Sequence, residues 1–189
     1  MGEIMKLGAK LLLICLVSAS LLAVTNEATK GPIQAQRDAA SQAARQEVLE
    51  SADEFVQLVG DDFAKIAESN PTVLEVFIGK AGGQEVGYVM KTAPVGFTGP
   101  VEVITGISLD GKLTGVRVGS HNETPGLGGK ITTEEFYSQY TDMFADVVGV
   151  SKTAKTETEI KAISGATISS KCVTSGVNDS INAFKALTN

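Results

Sequence analysis

Tryptophan is absent from this 189-residue chain, and aromatic residues make up only 5% of it. That leaves little with which to stack unpaired bases. Positive charge is in deficit: 16 Lys and Arg stand against 22 Asp and Glu, a net charge of −6. A phosphate-neutralising face needs the opposite balance, so nucleic acid is not an expected partner. Cysteine and histidine are scarce. Cys15 lies in an apolar run and Cys172 in a C-terminal helical pattern, so no structural disulfide is expected, and Cys172, beside the apolar Val173, reads as a packed thiol. No Cys-x-x-Cys pair or His/Cys cluster has metal-ligand spacing, and no metal site is expected. Also lacking are a cysteine set for an iron–sulfur cluster, a dinucleotide fingerprint after a strand, a polar multi-span bundle and a self-sufficient catalytic constellation. If the protein moves electrons, its redox centre must be a bound organic cofactor.

Long apolar runs are present at one place only. Leu7 to Val24 is interrupted by a single charge, Lys10, and with the residues before it approaches the roughly 20 needed to span a bilayer. Lys6 and Lys10 lie on its N-terminal side, which orients the N-terminus to the cytoplasm and the remainder outside. A cleaved signal peptide is the competing reading, because Ser18-Ala19-Ser20 supplies small residues. Either alternative exports the remaining chain. The expected division is an anchor over 1–26, a helical connection over 27–70 and one α+β domain over 71–189, a length suited to a single core.

Gln34 to Leu58, rich in Ala, Gln and Glu, predicts one long helix with Val48, Phe55, Val56 and Val59 on a modest apolar face, broken at Gly60-Asp-Asp and Asn70-Pro71. Strands are expected at Thr72 to Ile78 and Val86 to Met90, reversing at the glycine pair between them. A further hairpin joins Val101 to Leu109 with Lys112 to Val118 through Asp110-Gly111, a dipeptide suited to a two-residue turn. A mainly antiparallel sheet with flanking helices is therefore the expected centre. Thr132-Thr133-Glu134-Glu135 reads as a helix start, followed by an aromatic stripe of Phe136, Tyr140 and Phe144. Val147 to Val150 is a further strand candidate, and Thr153 to Lys161 reads as a polar connection.

Two stretches carry chemistry. Ser164-Gly165-Ala166-Thr167 places a hydroxyl between a flexible turn and a helix whose stripe is Val173, Val177, Ile181, Phe184 and Leu187. The first N–H groups of a helix have no internal partner and carry partial positive charge, so a phosphate is favoured beside Thr167. An ordinary Thr or Ser helix cap explains the same residues. The other stretch, His121-Asn122-Glu123-Thr124-Pro125-Gly126-Leu127-Gly128, leaves the end of a predicted strand. The single histidine can be a surface residue, and Thr-Pro-Gly has a sufficient explanation as a turn.

Ser164-Gly165-Ala166-Thr167-Ile168-Ser169-Ser170 resembles the flavinylation motif of the FMN-binding domain found in the G subunit of Rnf electron-transport complexes and the C subunit of Na+-translocating NADH:quinone reductases. His121 to Gly128 is similar to the His-x-Glu-Thr-Pro-Gly-Leu-Gly segment of the same family, in the same order. One departure is Lys161, three before Ser164, where that motif often has an acidic residue.

The resemblance implies an FMN-binding domain with FMN esterified to Thr167 by a flavin transferase that uses FAD. Ser164, Gly165, Ala166, Ile168, Ser169 and Ser170 would surround the linkage, and His121, Glu123, Thr124, Gly126 and Leu127 would border the flavin. It implies a single-pass subunit of a bacterial or archaeal membrane, with its domain outside the cytoplasm. Other membrane subunits would couple ferredoxin/NAD electron transfer to Na+ or H+ translocation, the chain being an oxidoreductase only within that complex. The alternatives are a C-type reductase subunit and a non-redox, membrane-anchored binding module.

Overall fold

The computed structural model describes residues 2–188, which fall into two compact units, 1–41 and 42–189. Helix α1 (Gly2–Val48), of which 2–41 lie in the first unit, contains an apolar stretch long enough to cross a membrane, with Leu11, Leu12 and Leu22 each more than 60% exposed. Pro32 lies within the helix, and Thr29 returns its hydroxyl to the Thr25 carbonyl at 2.8 Å.

The second unit is built on five antiparallel strands in sequential order: β1 (Glu54–Gln57), β2 (Val73–Ala81), β3 (Gln84–Thr92), β4 (Val103–Ser108) and β5 (Leu113–Val118). Alternation along the strands divides the sheet's side chains between two cores. Val76, Met90, Val103 and Val116 face the long C-terminal helix α4 (Thr167–Thr188), whose Val173, Val177, Ile181 and Phe184 are buried while Leu187 is half-buried. Phe77, Val89 and Ile104 face the other way, onto Val48, Leu49 and Ala52. Gly176 lets α4 approach closely, since a Cβ there would stand 2.6 Å from Thr92 Oγ1.

The expected helix over 34–58 is corrected. It ends at Val48; the chain turns through Leu49 and Ala52, and Glu54–Gln57 joins the sheet edge as β1, pairing with β2. Phe55 and Val56 suit a pleated surface better than a helix, and Asp53 fixes the turn by accepting the Gly82 N–H at 3.0 Å. Residues 42–70, expected as a connection, thus supply a strand and part of a core, together with helix α2 (Asp61–Ser69), which the sequence expectations do not include.

The β4–β5 connection also differs. Only Gly111 takes a positive φ, 77°, while the Gly111 N–H donates to the Ser108 carbonyl; the turn is longer than two residues and is followed by a register shift. The aromatic stripe is interrupted too. Helix α3 covers only Glu134–Tyr137, a 3-10 turn follows over Ser138–Tyr140, and Asp142 at φ 66° ends the helical path. Phe136 and Tyr140 pack edge to face in the core, but Phe144 is exposed. The expected polar connection contains a strand: β6 (Gly149–Ser151) pairs in parallel with β7 (Glu159–Lys161), and Ile160 is fully buried.

Candidate functional site

Three loops meet at the start of α4. The first is a tight reversal between Val95 and Pro100, closed by Gly96 N–H to the Gly99 carbonyl at 2.8 Å, with Phe97 and Thr98 at its tip. The second carries His121 to Gly128 away from β5. Pro125 and Gly126, the latter at φ 78°, form a turn in which Leu127 N–H donates to the Thr124 carbonyl. The third is Ile163 to Ala166, which enters α4 through Gly165 at φ 79°.

Glu123 joins the three. It is 4% exposed, although its sequence neighbours Asn122 and Thr124 are open to solvent. One carboxylate oxygen accepts the Phe97 N–H at 2.8 Å, the Thr98 N–H at 3.1 Å and the Thr98 hydroxyl at 3.2 Å. The other accepts the Ser169 hydroxyl at 2.5 Å. Burial opposes its ionisation, but the hydrogen bonds from Ser169, Thr98 and Phe97 outweigh burial and hold the carboxyl below the usual range. Room for this carboxylate depends on two glycines. A Cβ at Gly96 or at Gly128 would stand 2.5 Å from one of its oxygens.

The motif residues divide by exposure. Ser164, Gly165, Thr167 and Ile168 are open to solvent, whereas Ala166, Ser169 and Ser170 are buried beneath them. Ser170 shapes the turn by accepting the Ile163 N–H and donating to the Ala166 carbonyl, both at 3.0 Å. Its own N–H makes a helical bond to that carbonyl. The N–H groups of Thr167, Ile168 and Ser169 precede this bond and point out of the helix end, beside the Thr167 hydroxyl.

A cleft of about 790 Å³ opens beside Thr167 and Gly165. Lys130, Lys152 and Lys161 line it against one carboxylate, Glu135, with Thr133 and Gln139. Gln139 clamps Lys161 from both sides of its peptide, accepting its N–H at 2.7 Å and donating to its carbonyl at 3.4 Å. Leu127 and Ile168 are about half exposed, and a Cβ at Gly165 would touch Leu127 at 3.4 Å. An exposed hydroxyl, outward N–H groups and a cleft with three lysines, beside the exposed Leu127 and Ile168, suit a phosphate joined to a planar ring; FMN fits these residues.

The structure therefore brings both sequence-predicted stretches together, but with different duties. Thr124, Gly126 and Leu127 are exposed, while Glu123, expected among the flavin contacts, turns inward and spends both oxygens on protein donors. His121 is half-buried and accepts the Glu123 N–H on Nδ1 at 3.2 Å, an orientation that puts the proton of a neutral ring on Nε2. Sequence reasoning missed the Phe97–Thr98 turn and the two glycines against Glu123. The spacing Gly96-Phe97-Thr98-Gly99-Pro100 was the available signal for a tight reversal.

Comparison with known proteins agrees with this geometry. Residues 96–182 match the model of the FMN-binding domain, and residues 2–48 match that of the RnfG N-terminal region. The G subunit of the Na+-translocating ferredoxin:NAD+ oxidoreductase complex of Acetobacterium woodii is 44% identical over 194 residues, covering 98% of this chain and 93% of that one. The G subunit of an ion-translocating oxidoreductase complex of Methanosarcina acetivorans is 34% identical, covering 97% and 96%. Among solved structures, the C subunit of the Na+-translocating NADH-quinone reductase of Parabacteroides distasonis superposes with a TM-score of 0.62 at 24% identity, covering 83% of this chain and 96% of that one, and so shares the fold. With both family regions in order and relatives matched nearly end to end, this chain belongs to the family of G subunits of the Rnf ion-translocating electron-transport complexes.

Proposed function

We propose that the protein is an electron-carrying subunit whose FMN is joined through its phosphate to the Thr167 hydroxyl. The observation that carries this reading is Thr167 itself: an exposed hydroxyl on the first residue of a 22-residue helix, beside a lysine-lined cleft, inside the FMN-binding domain match. The outward N–H groups of the first turn and Lys130, Lys152 and Lys161 would balance the phosphodiester charge. Gly165 keeps the approach to the hydroxyl open, and Leu127 and Ile168 offer apolar surface to the ring. FMN, when bound, accepts and releases electrons singly and so links other redox centres without a substrate of its own.

The α1 span would anchor the domain, with Lys6 and Lys10 keeping the N-terminus in the cytoplasm and the flavin outside. Partners are the other membrane subunits, lipid around the span, and a flavin transferase during maturation. The complex would couple ferredoxin/NAD electron transfer to Na+ or H+ movement. The Acetobacterium woodii relative is named for Na+ and a Clostridium ljungdahlii relative, 29% identical, for protons.

The test is intact mass after production with an active flavin transferase, beside Thr167→Val made identically. We expect a gain of one FMN less water on the wild type only, with flavin fluorescence that persists in a denaturing gel. An unmodified wild type, beside a control target that is modified, would remove the covalent reading.

A further inference from the structure

We infer that Glu123 is a positioning residue that sets the Thr167 end of α4 against the Phe97–Thr98 turn by spanning the gap between them. The inference rests on Thr167 as the flavin site. Three observations support it. The first is occupation: one carboxylate oxygen takes three donors and the other takes Ser169 at 2.5 Å, so that both oxygens are held by the protein. Such a carboxylate acts through what it holds.

The second lies in Ser169. Ser170, Thr174 and Ser180, the other buried hydroxyls of α4, all return to the carbonyl four residues back, at 2.9–3.0 Å, Thr174 pairing in addition with the Tyr140 hydroxyl at 2.7 Å. Ser169 instead reaches out of its helix to a loop 46 residues away in sequence. It sits two residues after Thr167, in the same turn, so restraining it restrains the direction in which Thr167 and its N–H groups face. The third is shape. Gly96 and Gly128 both leave the carboxylate a space that a methyl group would fill, and Gly128 does the same for the Ser169 hydroxyl, 2.7 Å from where its Cβ would lie. Both walls of the slot are cut to one side chain.

Span, rather than charge, is the property used, and this separates the conservative replacements. Gln has the same reach: its oxygen can accept from Phe97 and Thr98 while its NH₂ donates to a rotated Ser169 hydroxyl. Asp keeps the charge but is one methylene short of bridging both sides. If the carboxylate served the flavin electrostatically, Asp would be the better substitute.

The experiment follows the rate of covalent flavin incorporation into Thr167 by intact mass in the full chain with an active transferase. The set is wild type, Glu123→Gln, Glu123→Asp, Glu123→Ala, Ser169→Ala and the Glu123→Asp/Ser169→Ala pair. Val76→Ala, a buried site on β2, controls for stability, and thermal midpoints are measured for all. Misplacement by about 1 Å is sufficient to slow a positioned reaction by up to about a hundredfold. We expect Asp and Ala to lose about tenfold or more and Gln to retain rate to within about threefold, at temperatures where all are folded. The double variant should lie within about twofold of its worse parent, because both changes break one link. Val76→Ala should lower the midpoint without slowing incorporation. Asp outperforming Gln, Ala within about twofold of wild type, or fully multiplicative losses in the pair would overturn the inference and leave Thr167 as the flavin site. Should Glu123→Ala fail to fold, Ser169→Ala and the pair decide. A wild type that takes no flavin removes both readings together.

Discussion

At the scale of single residues, Glu123 keeps its charge through donors rather than through water. Burial alone would raise its pKa; the bonds from Ser169, Thr98 and Phe97 lower it further than burial raises it, so the folded value lies below the ordinary carboxylate one. The ionised group therefore stabilises the fold at neutral pH, and this contribution is lost as pH falls through the depressed folded value. Cys172 nearby, which burial and then the Glu123 charge push up to about 11, stays a thiol throughout. Between about pH 5 and pH 3, wild-type stability should therefore fall more steeply than that of Glu123→Gln. Chemical denaturation at several pH values checks this, and parallel slopes would contradict it.

At the scale of elements, the last turn of α1 is seated in a furrow of glycines. A Cβ at Gly106 would collide with the Val48 carbonyl, one at Gly79 would collide with Leu49, and one at Gly115 would stand 3.1 Å from Val48 Cα. The Val48 carbonyl accepts the Thr114 hydroxyl, and a ladder of Arg45, Glu75, Lys91 and Glu102 crosses the same face at 3.5–4.0 Å. Gly106→Ala should cost about 2–3 kcal/mol, since the obstacle is backbone and cannot swing aside. Urea unfolding measures it, and a loss under about 0.5 kcal/mol would mean that the helix end yields.

This furrow also shows where the sequence was readable. The strands of the sheet from β2 to β5, the stripe of α4 and both site loops follow from periodicity and turn residues, because each is a local pattern with a local cause. The helix end at Val48 was hidden, because what stops it is a seat made by Gly79, Gly106 and Gly115, on three strands far along the chain. Val147 to Val150 marks β6, but its parallel partner β7 was hidden likewise, being three residues long within a polar stretch. At the site, the exposed Thr167 was legible from its motif. The inward turn of Glu123 was not, since it is decided by Phe97 and Thr98 of another loop and by Ser169 of α4.

At the scale of the whole molecule, the compact unit begins near Gln42 rather than at Pro71. A chain beginning at Pro71 would lose β1, Val48 and Leu49, leaving Phe77, Val89 and Ile104 uncovered. Each such side chain contributes about 1.5–3 kcal/mol when buried, against a total stability of about 5–15 kcal/mol. A chain from Gln42 should unfold in one cooperative thermal transition, and a chain from Pro71 should show none. A cooperative transition of the shorter chain would place residues 42–70 outside the folding unit.

The order of elements along the chain has a consequence for biosynthesis. Helix α4 is made after every strand, yet it covers one face of all the central ones and carries Thr167 at its first residue. Glu123 joins the loops at 95–100 and 121–128 to each other, and its bond to Ser169 in the first turn of α4 forms only when that helix has docked. If Thr167 is the flavin site, a half-folded intermediate lacks the docked helix start that presents its hydroxyl, and attachment would favour molecules whose last helix is in place.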